Sequence, residues 1–261
     1  MKSIIICEGK TDAIILSYYL SKTDEWIFLS KKESQCRGIS ERILEFGIEN
    51  SMTQEFSWYI NPGEDLLCIY AVGGITAIKD GFAQVLDINS MSNSEPFERM
   101  VLLFDRDDEH AEHNILEDIS RIIVSNSLED VNLENNEWAE LQYSERRQPL
   151  LILPLVIPFD TVGTLENFLL SCRKEIDYCE NTLVEQCDKF TTSLETIENI
   201  KERYLKRRGI KSKISFGTYF SVVSPHRTFD AGDKILRSIP WENYSGFNDT
   251  FLELHKLCSV K

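Results

Sequence analysis

Residues 3–12 read SIIICEGKTD, an apolar run that passes directly into two acids, Glu8 and Asp12. The apolar part is short and rich in β-branched isoleucine, which is typical of a strand buried in a parallel sheet. Residues 101–107 read VLLFDRD and repeat the same design, an apolar run followed by an acidic pair. The two stretches predict two buried parallel strands whose carboxyl ends both carry carboxylates.

Ligands of open parallel sheets bind at the carboxyl ends of the strands. Carboxylates that converge there repel one another, and a bound divalent cation relieves that repulsion. Their oxygens are hard ligands, which suit Mg²⁺ or Mn²⁺ better than zinc. The sequence therefore predicts a metal site built from Glu8, Asp12, Asp105 and Asp107.

Composition narrows the class of protein. Of the 261 residues, 42% are hydrophobic and 27% are charged, as in globular domains. The sequence contains no run of about 18 apolar residues, so no membrane-spanning helix is predicted. The N-terminus lacks the pattern of a signal peptide, so we expect a cytoplasmic location and reduced cysteines. The net charge of −15 argues against a broad nucleic-acid surface.

Positive charge is concentrated in one stretch, residues 201–213, which we call the basic strip. It contains seven Lys or Arg residues, and its arginines are Arg203, Arg207 and Arg208. Such a strip can follow a phosphate backbone on an otherwise acidic protein, although the alternative is a solvated helix face.

Up to about residue 165, short apolar runs typical of strands alternate with stretches that have the apolar periodicity of helices. After that point only stretches with helical periodicity follow. The pattern predicts an α/β core with a parallel sheet of about four strands flanked by helices, plus a helical C-terminal extension. We expect a core over 1–175, with an insertion at about 24–62, and an extension over 176–261 packed on it. The predicted strands are 3–7, 65–72, 100–104 and 150–157, the last with Pro154 as a sign of an edge or a bulge.

Three motifs in this order resemble the Toprim domain, a Rossmann-like family that includes catalytic domains of topoisomerases, primases and OLD-type nucleases. They are E-G-x-x-D at residues 8–12, the pair Gly73-Gly74 after the second long strand, and D-x-D at residues 105–107. The resemblance covers roughly residues 3–170. It implies a catalytic core that works with divalent cations.

A fourth motif, GTLEN at residues 163–167, resembles OLD-type nucleases and small stand-alone Toprim proteins. That group has a small hydroxyl residue two positions before a glutamate, matched here by Thr164 and Glu166. It also has a lysine some tens of residues further on, which implies Lys211 or Lys213. We favour Lys213 because it directly precedes apolar Ile214.

The resemblance implies phosphodiester hydrolysis with two ions about 3.5–4 Å apart, and a lysine that stabilises the transition state. Paired glycines let a nucleic acid approach the backbone closely. The implied catalytic residues are Glu8, Asp105, Lys213 and Lys211; the metal ligands are Glu8, Asp12, Asp105, Asp107 and Glu166; the substrate-binding residues are Gly73, Gly74, Thr164, Arg203, Arg207 and Arg208.

The expected function is a nuclease acting on DNA or RNA in bacterial anti-phage defence. OLD-type Toprims are usually fused to an ABC-type ATPase, and this sequence has no G-x-x-x-x-G-K-[ST] motif, so an ATPase partner is expected in trans. The protein could also form a homo-oligomer, and no membrane association is expected. The alternatives are a maturase-type endoribonuclease on structured RNA and a catalytically silent module that binds nucleic acid or protein.

Each motif also has a purely structural interpretation. Residues 8–9 can be a strand exit with Thr11 capping the first helix, and residues 105–107 can belong to an exposed acidic loop. Residues 163–166 can simply cap a helix. The metal site is preferred because all of these interpretations must hold together for it to be wrong.

Overall fold

The computed structural model describes residues 1–37, 55–91, 96–126, 131–143, 148–207, 209–227 and 232–259. The strands are β1 Lys2–Cys7, β2 Ile27–Leu29, β3 Glu55–Ile60, β4 Leu66–Ala71, β5 Arg99–Asp105, β6 Ala139–Leu141 and β7 Leu150–Ile157. The α-helices are α1 Lys10–Thr23, α2 Lys31–Cys36, α3 Ile75–Met91, α4 Ala111–Ser125, α5 Leu165–Lys174, α6 Tyr178–Glu195, α7 Glu198–Tyr204, α8 Ile210–Val223, α9 Gly232–Leu236 and α10 Ser245–Phe251. Short 3₁₀ turns lie at Pro225–Arg227, Trp241–Asn243 and Leu252–Leu257.

Within the described ranges, seven strands form one sheet in the order β2-β3-β4-β1-β5-β7-β6. Strand β1 pairs in parallel with β4 and with β5, whereas β2, β3 and β6 join in antiparallel orientation. Hydrogen bonds from Leu151 N–H to the Glu98 carbonyl and from Arg106 N–H to the Ile157 carbonyl imply that β5 and β7 also run parallel. The α/β class is confirmed.

The prediction of about four parallel strands describes only part of the sheet, which has seven strands in the described ranges. The four predicted strands correspond to β1, β4, β5 and β7, and three antiparallel strands extend the sheet beyond them. Strands β2 and β6 have only three residues each, too few to show a period of two. Strand β3 lies in the stretch predicted as an insertion, of which residues 38–54 fall outside the described ranges.

The register of the central strands aligns their carboxyl ends. Cys7 at the end of β1 lies opposite Ala71 at the end of β4 and opposite Leu103 near the end of β5. All six residues of β1 are buried, which explains the apolar run from Ile4 to Cys7. The carboxyl ends of β1 and β4 and residue Leu103 of β5 therefore lie at one edge of the sheet.

Helix α4 shows how the helices cover the sheet. Its buried face consists of Ala111, Ile115, Ile119 and Ile123, spaced four residues apart, and these side chains join the apolar core with those of β1, β4 and β5. This spacing places them on one side of an α-helix. The buried face of this helix therefore follows the helical periodicity of its apolar residues.

Pro154 lies inside β7, which has a neighbour on each side, so β7 is not an edge strand. Strand β6 pairs only with residues 150–152 of β7, and Pro154 comes after that pairing has ended. The Pro154 carbonyl accepts a hydrogen bond from the N–H of Asn136 at 2.9 Å. In a strand the N–H and C=O groups of one residue point to the same side, so the N–H that proline lacks would also point to the side of Asn136. The proline is tolerated because no strand requires that N–H.

Contacts divide the chain into two compact units. Unit 1 comprises Met1–Phe104, His110–Val156 and Phe251–Lys261; unit 2 comprises Asp105–Glu109 and Ile157–Thr250. Residues 157–175, assigned to the core from sequence, thus group with the helices, and the stretch from Phe251 groups with the sheet. In the described part of the chain, no helix is both long enough and apolar enough to cross a lipid bilayer.

Unit 2 contains a polar network among its helices. The guanidinium of Arg173 donates to the hydroxyls of Tyr219 (2.6 Å) and Tyr244 (2.5 Å) and to the carboxylate of Glu180 (3.0 Å). The Tyr219 hydroxyl also donates to Glu180, and burial raises the pKa of that hydroxyl. Charge-assisted bonds of this kind fix the mutual orientation of α5, α6 and α8.

Candidate functional site

In unit 1, the exits of β1 and β4 are joined by two backbone hydrogen bonds. Val72 N–H donates to the Cys7 carbonyl (3.0 Å), and Gly73 N–H donates to the Glu8 carbonyl (2.7 Å). Gly73 and Gly74 have φ angles of 92° and 140°, which other residues adopt only with strain. The structure therefore brings the glycine pair beside Glu8, and backbone conformation explains why both positions are glycine.

Asp12 stands at the third position of α1 and holds the start of that helix. Its Oδ2 accepts the N–H of Gly9, the N-cap residue, at 2.6 Å, and the side chain is only 8% exposed. The structural interpretation of this motif expected Thr11 to cap the helix, whereas Gly9 is the cap and Asp12 makes the side-chain bond. Asp12 therefore has a structural role whatever else it binds.

The charges of Glu8 and Asp12 act on the same buried thiol. Burial raises the pKa of Cys7 well above its ordinary value, and the negative charges of Asp12 and Glu8 raise it further. The thiol donates to the carbonyls of Gly9 and Tyr70, at 3.7 and 3.6 Å. The two acids thus share one region of unit 1, and Cys7 stays protonated as a small apolar side chain.

In unit 2, Asp105 at the end of β5 contacts the start of helix α5. Its Oδ1 accepts the N–H of Leu165, the first residue of that helix, at 2.8 Å. This N–H has no partner within the helix, and the positive end of the helix dipole favours the carboxylate. The acidic motif after β5 and the GTLEN motif therefore meet, although they are separated by about 60 residues in the sequence.

A backbone bridge holds the two motifs of unit 2 together. Arg106 N–H donates to the Ile157 carbonyl (2.6 Å), and Gly163 N–H donates to the Arg106 carbonyl (2.8 Å). A Cβ on Gly163 would lie 3.0 Å from the Cβ of Asn167, closer than side chains normally pack. Glycine at 163 therefore leaves room for the Asn167 side chain, which accepts the N–H of the next residue, Thr164.

The start of helix α5 is completed by two residues that the sequence did not single out as site residues, Asn167 and Ser212. The Asn167 Oδ1 accepts from the N–H of Thr164, the N-cap, at 3.0 Å, and from the Ser212 hydroxyl at 2.6 Å. The T-x-x-N spacing at 164–167 is a capping pattern and was a readable signal for Asn167. Ser212 belongs to α8 and carried no such signal.

Glu166 lies in the first turn of α5 and is only 6% exposed, as is Thr164. No cationic side chain in the described ranges forms an ion pair with the Glu166 carboxylate. Glu166 thus places a carboxylate at the start of α5, next in sequence to the residue whose N–H Asp105 accepts.

The two candidate lysines differ in their surroundings. Lys211 forms an ion pair with Glu195 at the end of α6. Lys213 is exposed, and its backbone N–H donates to the Gly209 carbonyl in the first turn of α8. An added Cβ on Gly209 would lie 3.8 Å from the Thr164 methyl group, so the start of α8 lies against the start of α5.

The basic strip lies in unit 2, over α7 and the start of α8. Arg203 and Arg207 are exposed, and Lys206 forms an ion pair with Glu202 at 2.6 Å. Arg208 lies outside the described residues. The strip presents positive charge to solvent, as both interpretations of it require.

As they stand, no three Asp, Glu, His or Cys side chains of the described ranges lie close enough together to hold an ion. The acids fall into two sets, Glu8 with Asp12 in unit 1, and Asp105 with Asp107 and Glu166 in unit 2. All five donors are carboxylates, and their chemistry suits Mg²⁺ or Mn²⁺.

No family model matches this chain, and no curated protein matches it. Among solved structures, the chain is similar to the crystal structure of the hypothetical protein PH0156 from Pyrococcus horikoshii OT3, with a TM-score of 0.53 and 13% sequence identity. The alignment covers 98% of this chain and 98% of that chain. At this identity the similarity supports the fold alone, a mixed α/β sheet flanked by helices.

Proposed function

We propose that this protein is a divalent-metal-dependent nuclease, similar to OLD-type Toprim nucleases, that hydrolyses phosphodiester bonds in DNA or RNA. The observation that carries the proposal is the hydrogen bond from Leu165 N–H to the Asp105 carboxylate. It joins the acidic end of β5 to the helix that begins after Thr164 and holds Glu166 in its first turn. These are the segments that the Toprim resemblance makes parts of one metal site.

The acids would serve as ligands: Glu8 and Asp12 after β1, Asp105 and Asp107 after β5, and Glu166 in α5. Two Mg²⁺ or Mn²⁺ ions bound there would activate water and stabilise the leaving oxygen. Asp12 and Asp105 already bond backbone N–H groups, and this fixes the direction of each carboxylate. Ligands held in this way keep their geometry while the substrate binds.

The lysine role falls to Lys213 rather than to Lys211 in this proposal. Lys211 is engaged with Glu195, and an ammonium already paired with a carboxylate has less charge to offer a phosphate. Lys213 is exposed on the same turn, next to Ser212 and its bond to Asn167. Its ammonium would stabilise the negative charge that develops on the phosphate during cleavage.

We also propose that the nuclease acts in anti-phage defence with an ABC-type ATPase as partner. The net charge of −15 means that the chain cannot recruit nucleic acid by overall charge. A partner or a second copy of the chain would complete the binding surface beside the basic strip. If an ATPase gene adjoins this one, the two proteins should copurify when they are expressed together.

The direct test is cleavage of labelled single- and double-stranded DNA and RNA by the purified chain, with Mn²⁺, with Mg²⁺ and with EDTA. We expect metal-dependent cleavage that Glu8→Ala and Asp107→Ala abolish. Asp249→Ala is the matched control because Asp249 is an exposed acid on α10, outside all the motifs. Nucleic-acid binding without cleavage under every condition, with and without the partner, would contradict the proposal and favour the silent binding module.

A further inference from the structure

An exposed aromatic ring lies at the end of α7, inside the basic strip. Tyr204 keeps 58% of its surface exposed, and the guanidinium of Arg203 lies 5.2 Å from the centre of its ring. Leu205, the next residue, is buried and fixes this end of the helix in unit 2. The pair thus presents an aromatic ring and a planar cation to solvent from an anchored backbone.

The charges around this ring are mainly positive, and Glu202, the nearest acid in the sequence, is paired with Lys206. Lys201, Arg203 and Arg207 are exposed, and in the described part of the chain none of the three is paired with a carboxylate. Tyr178 at the start of α6 provides the contrast within the same unit. It is 82% exposed, but its neighbours in sequence include Asp177 and Glu180. Exposure of an aromatic ring is therefore combined with positive charge at Tyr204 and not at Tyr178.

We infer that Tyr204 and Arg203 form a stacking platform for an unpaired nucleotide of the substrate. The inference rests on the proposed nuclease function and adds that the strand must be single at this point. Aromatic rings and guanidinium planes stack on exposed bases, and neighbouring cations hold the phosphates of the same strand. Bases inside a duplex stack on each other and offer no such face, so the platform selects against fully paired substrates.

The platform lies within reach of the candidate site of unit 2. Gly209 lies five positions after Tyr204 in the sequence, which limits their Cα–Cα distance to about 18 Å. The start of α8 at Gly209 lies against Thr164 at the start of α5. A strand stacked on Tyr204 therefore needs to extend only a few nucleotides to reach Asp105 and Glu166.

The test measures binding and not cleavage. Fluorescence anisotropy in EDTA compares a labelled oligonucleotide as a single strand and as a duplex, in both the RNA and the DNA form. We expect the single strand to bind more tightly. Tyr204→Ala should weaken that binding roughly five- to a hundredfold, since a base stacked on an aromatic side chain contributes on this scale.

Three further variants make the test specific. Tyr204→Phe keeps the ring and should bind nearly as the unchanged protein does, and Tyr178→Ala removes an exposed ring outside the strip and should have no effect. Arg203→Lys keeps the charge but loses the plane, so it should weaken binding while leaving the salt dependence nearly unchanged. Equal binding of duplex and single strand, or equal effects of Tyr204→Ala and Tyr178→Ala, would overturn the inference.

Two other outcomes separate this inference from the proposed function. Preferential single-strand binding that depends on Tyr204, together with no cleavage in Mn²⁺ or Mg²⁺, would reject the nuclease and retain the platform. Cleavage that Tyr204→Ala leaves unchanged in rate and in KM would retain the nuclease and reject the platform. A change in oligomeric state on Tyr204→Ala, with unchanged oligonucleotide binding, would show that the ring contacts a second copy of the chain and would also reject it.

Discussion

Ser212 in the first turn of α8 donates a hydrogen bond to Asn167 in the first turn of α5, with 2.6 Å between Oγ and Oδ1. The same Asn167 oxygen accepts the N–H of Thr164, which caps α5. One amide therefore caps one helix and holds the start of another. This relationship fixes the backbone on either side of Ser212, where the two candidate lysines lie.

Ser212→Ala should remove that link and lower the free energy of unfolding by about 1 kcal/mol, the usual net value of one hydrogen bond. Urea unfolding followed by circular dichroism measures the change. Ser221→Ala is the matched control because Ser221 lies on the exposed side of the same helix and, among the described residues, bonds only the Gly217 carbonyl of that helix. Equal effects of the two substitutions would mean that the link contributes nothing specific.

Two substitutions of Asp105 should separate its structural role from its proposed role as a metal ligand. Asp105→Ala removes the acceptor for Leu165 N–H and should cost about 0.5–2 kcal/mol of stability, as lost helix caps do. Asp105→Asn keeps an acceptor oxygen and should cost less. Both should abolish metal-dependent cleavage, because a neutral amide is a poor ligand for Mg²⁺. An Asn variant that cleaves as fast as the unchanged protein would rule out Asp105 as a ligand.

The central part of the sheet was predictable from sequence because it is buried on both faces. Strands β1 and β5 are continuous apolar runs, and each run ends at the acids that mark the edge of the sheet. The added strands were not predictable, since β2 and β6 are three residues long and take their conformation from pairing with neighbours. Tertiary context, and not local pattern, determines such strands.

The candidate site was predictable only in part, for a similar reason. The Asp105 and Thr164 motifs were visible because each follows a strand or opens a helix. Ser212 was not visible because its role depends on the packing of α8 against α5, which no local pattern encodes. The division of the chain depends likewise on long-range contacts, which group residues 157–175 with the helical unit.

Cys172 provides a prediction about alkaline stability. Burial, with a further effect from Glu175, raises the pKa of this thiol to about 12, whereas an unfolded thiol ionises near pH 8.5. The folded state therefore keeps a proton on Cys172 that the unfolded state loses, and the contribution of this thiol to stability falls as pH rises above about 8.5. The stability difference between the unchanged protein and Cys172→Ala should shrink by up to about 1.4 kcal/mol per pH unit above that point. Urea unfolding from pH 7 to 10 measures it, and a constant difference would contradict the raised pKa.

Lys213→Ala and Lys211→Ala should affect different properties. Lys213→Ala should lower kcat with little change in metal affinity, since its proposed contact forms mainly in the transition state. Lys211→Ala breaks the partly exposed ion pair with Glu195 and should cost at most about 1 kcal/mol of stability, with kcat nearly unchanged. Steady-state cleavage and urea unfolding of both variants provide the comparison. The reverse pattern in kcat would assign the transition-state role to Lys211.

The last prediction concerns Glu166 and metal. Millimolar Mn²⁺ or Mg²⁺ should raise the Tm of the protein, because ions that bind only the folded state stabilise it. Glu166→Gln should remove much of that rise. Without metal it should be as stable as the unchanged protein or more so, since a neutral amide costs less to bury than a carboxylate. Glu185→Gln, on the exposed side of α6, is the control and should behave as the unchanged protein does. An identical metal-induced rise in all three proteins would exclude Glu166 from the metal site, and no rise in any of them at millimolar concentrations would reject the site itself.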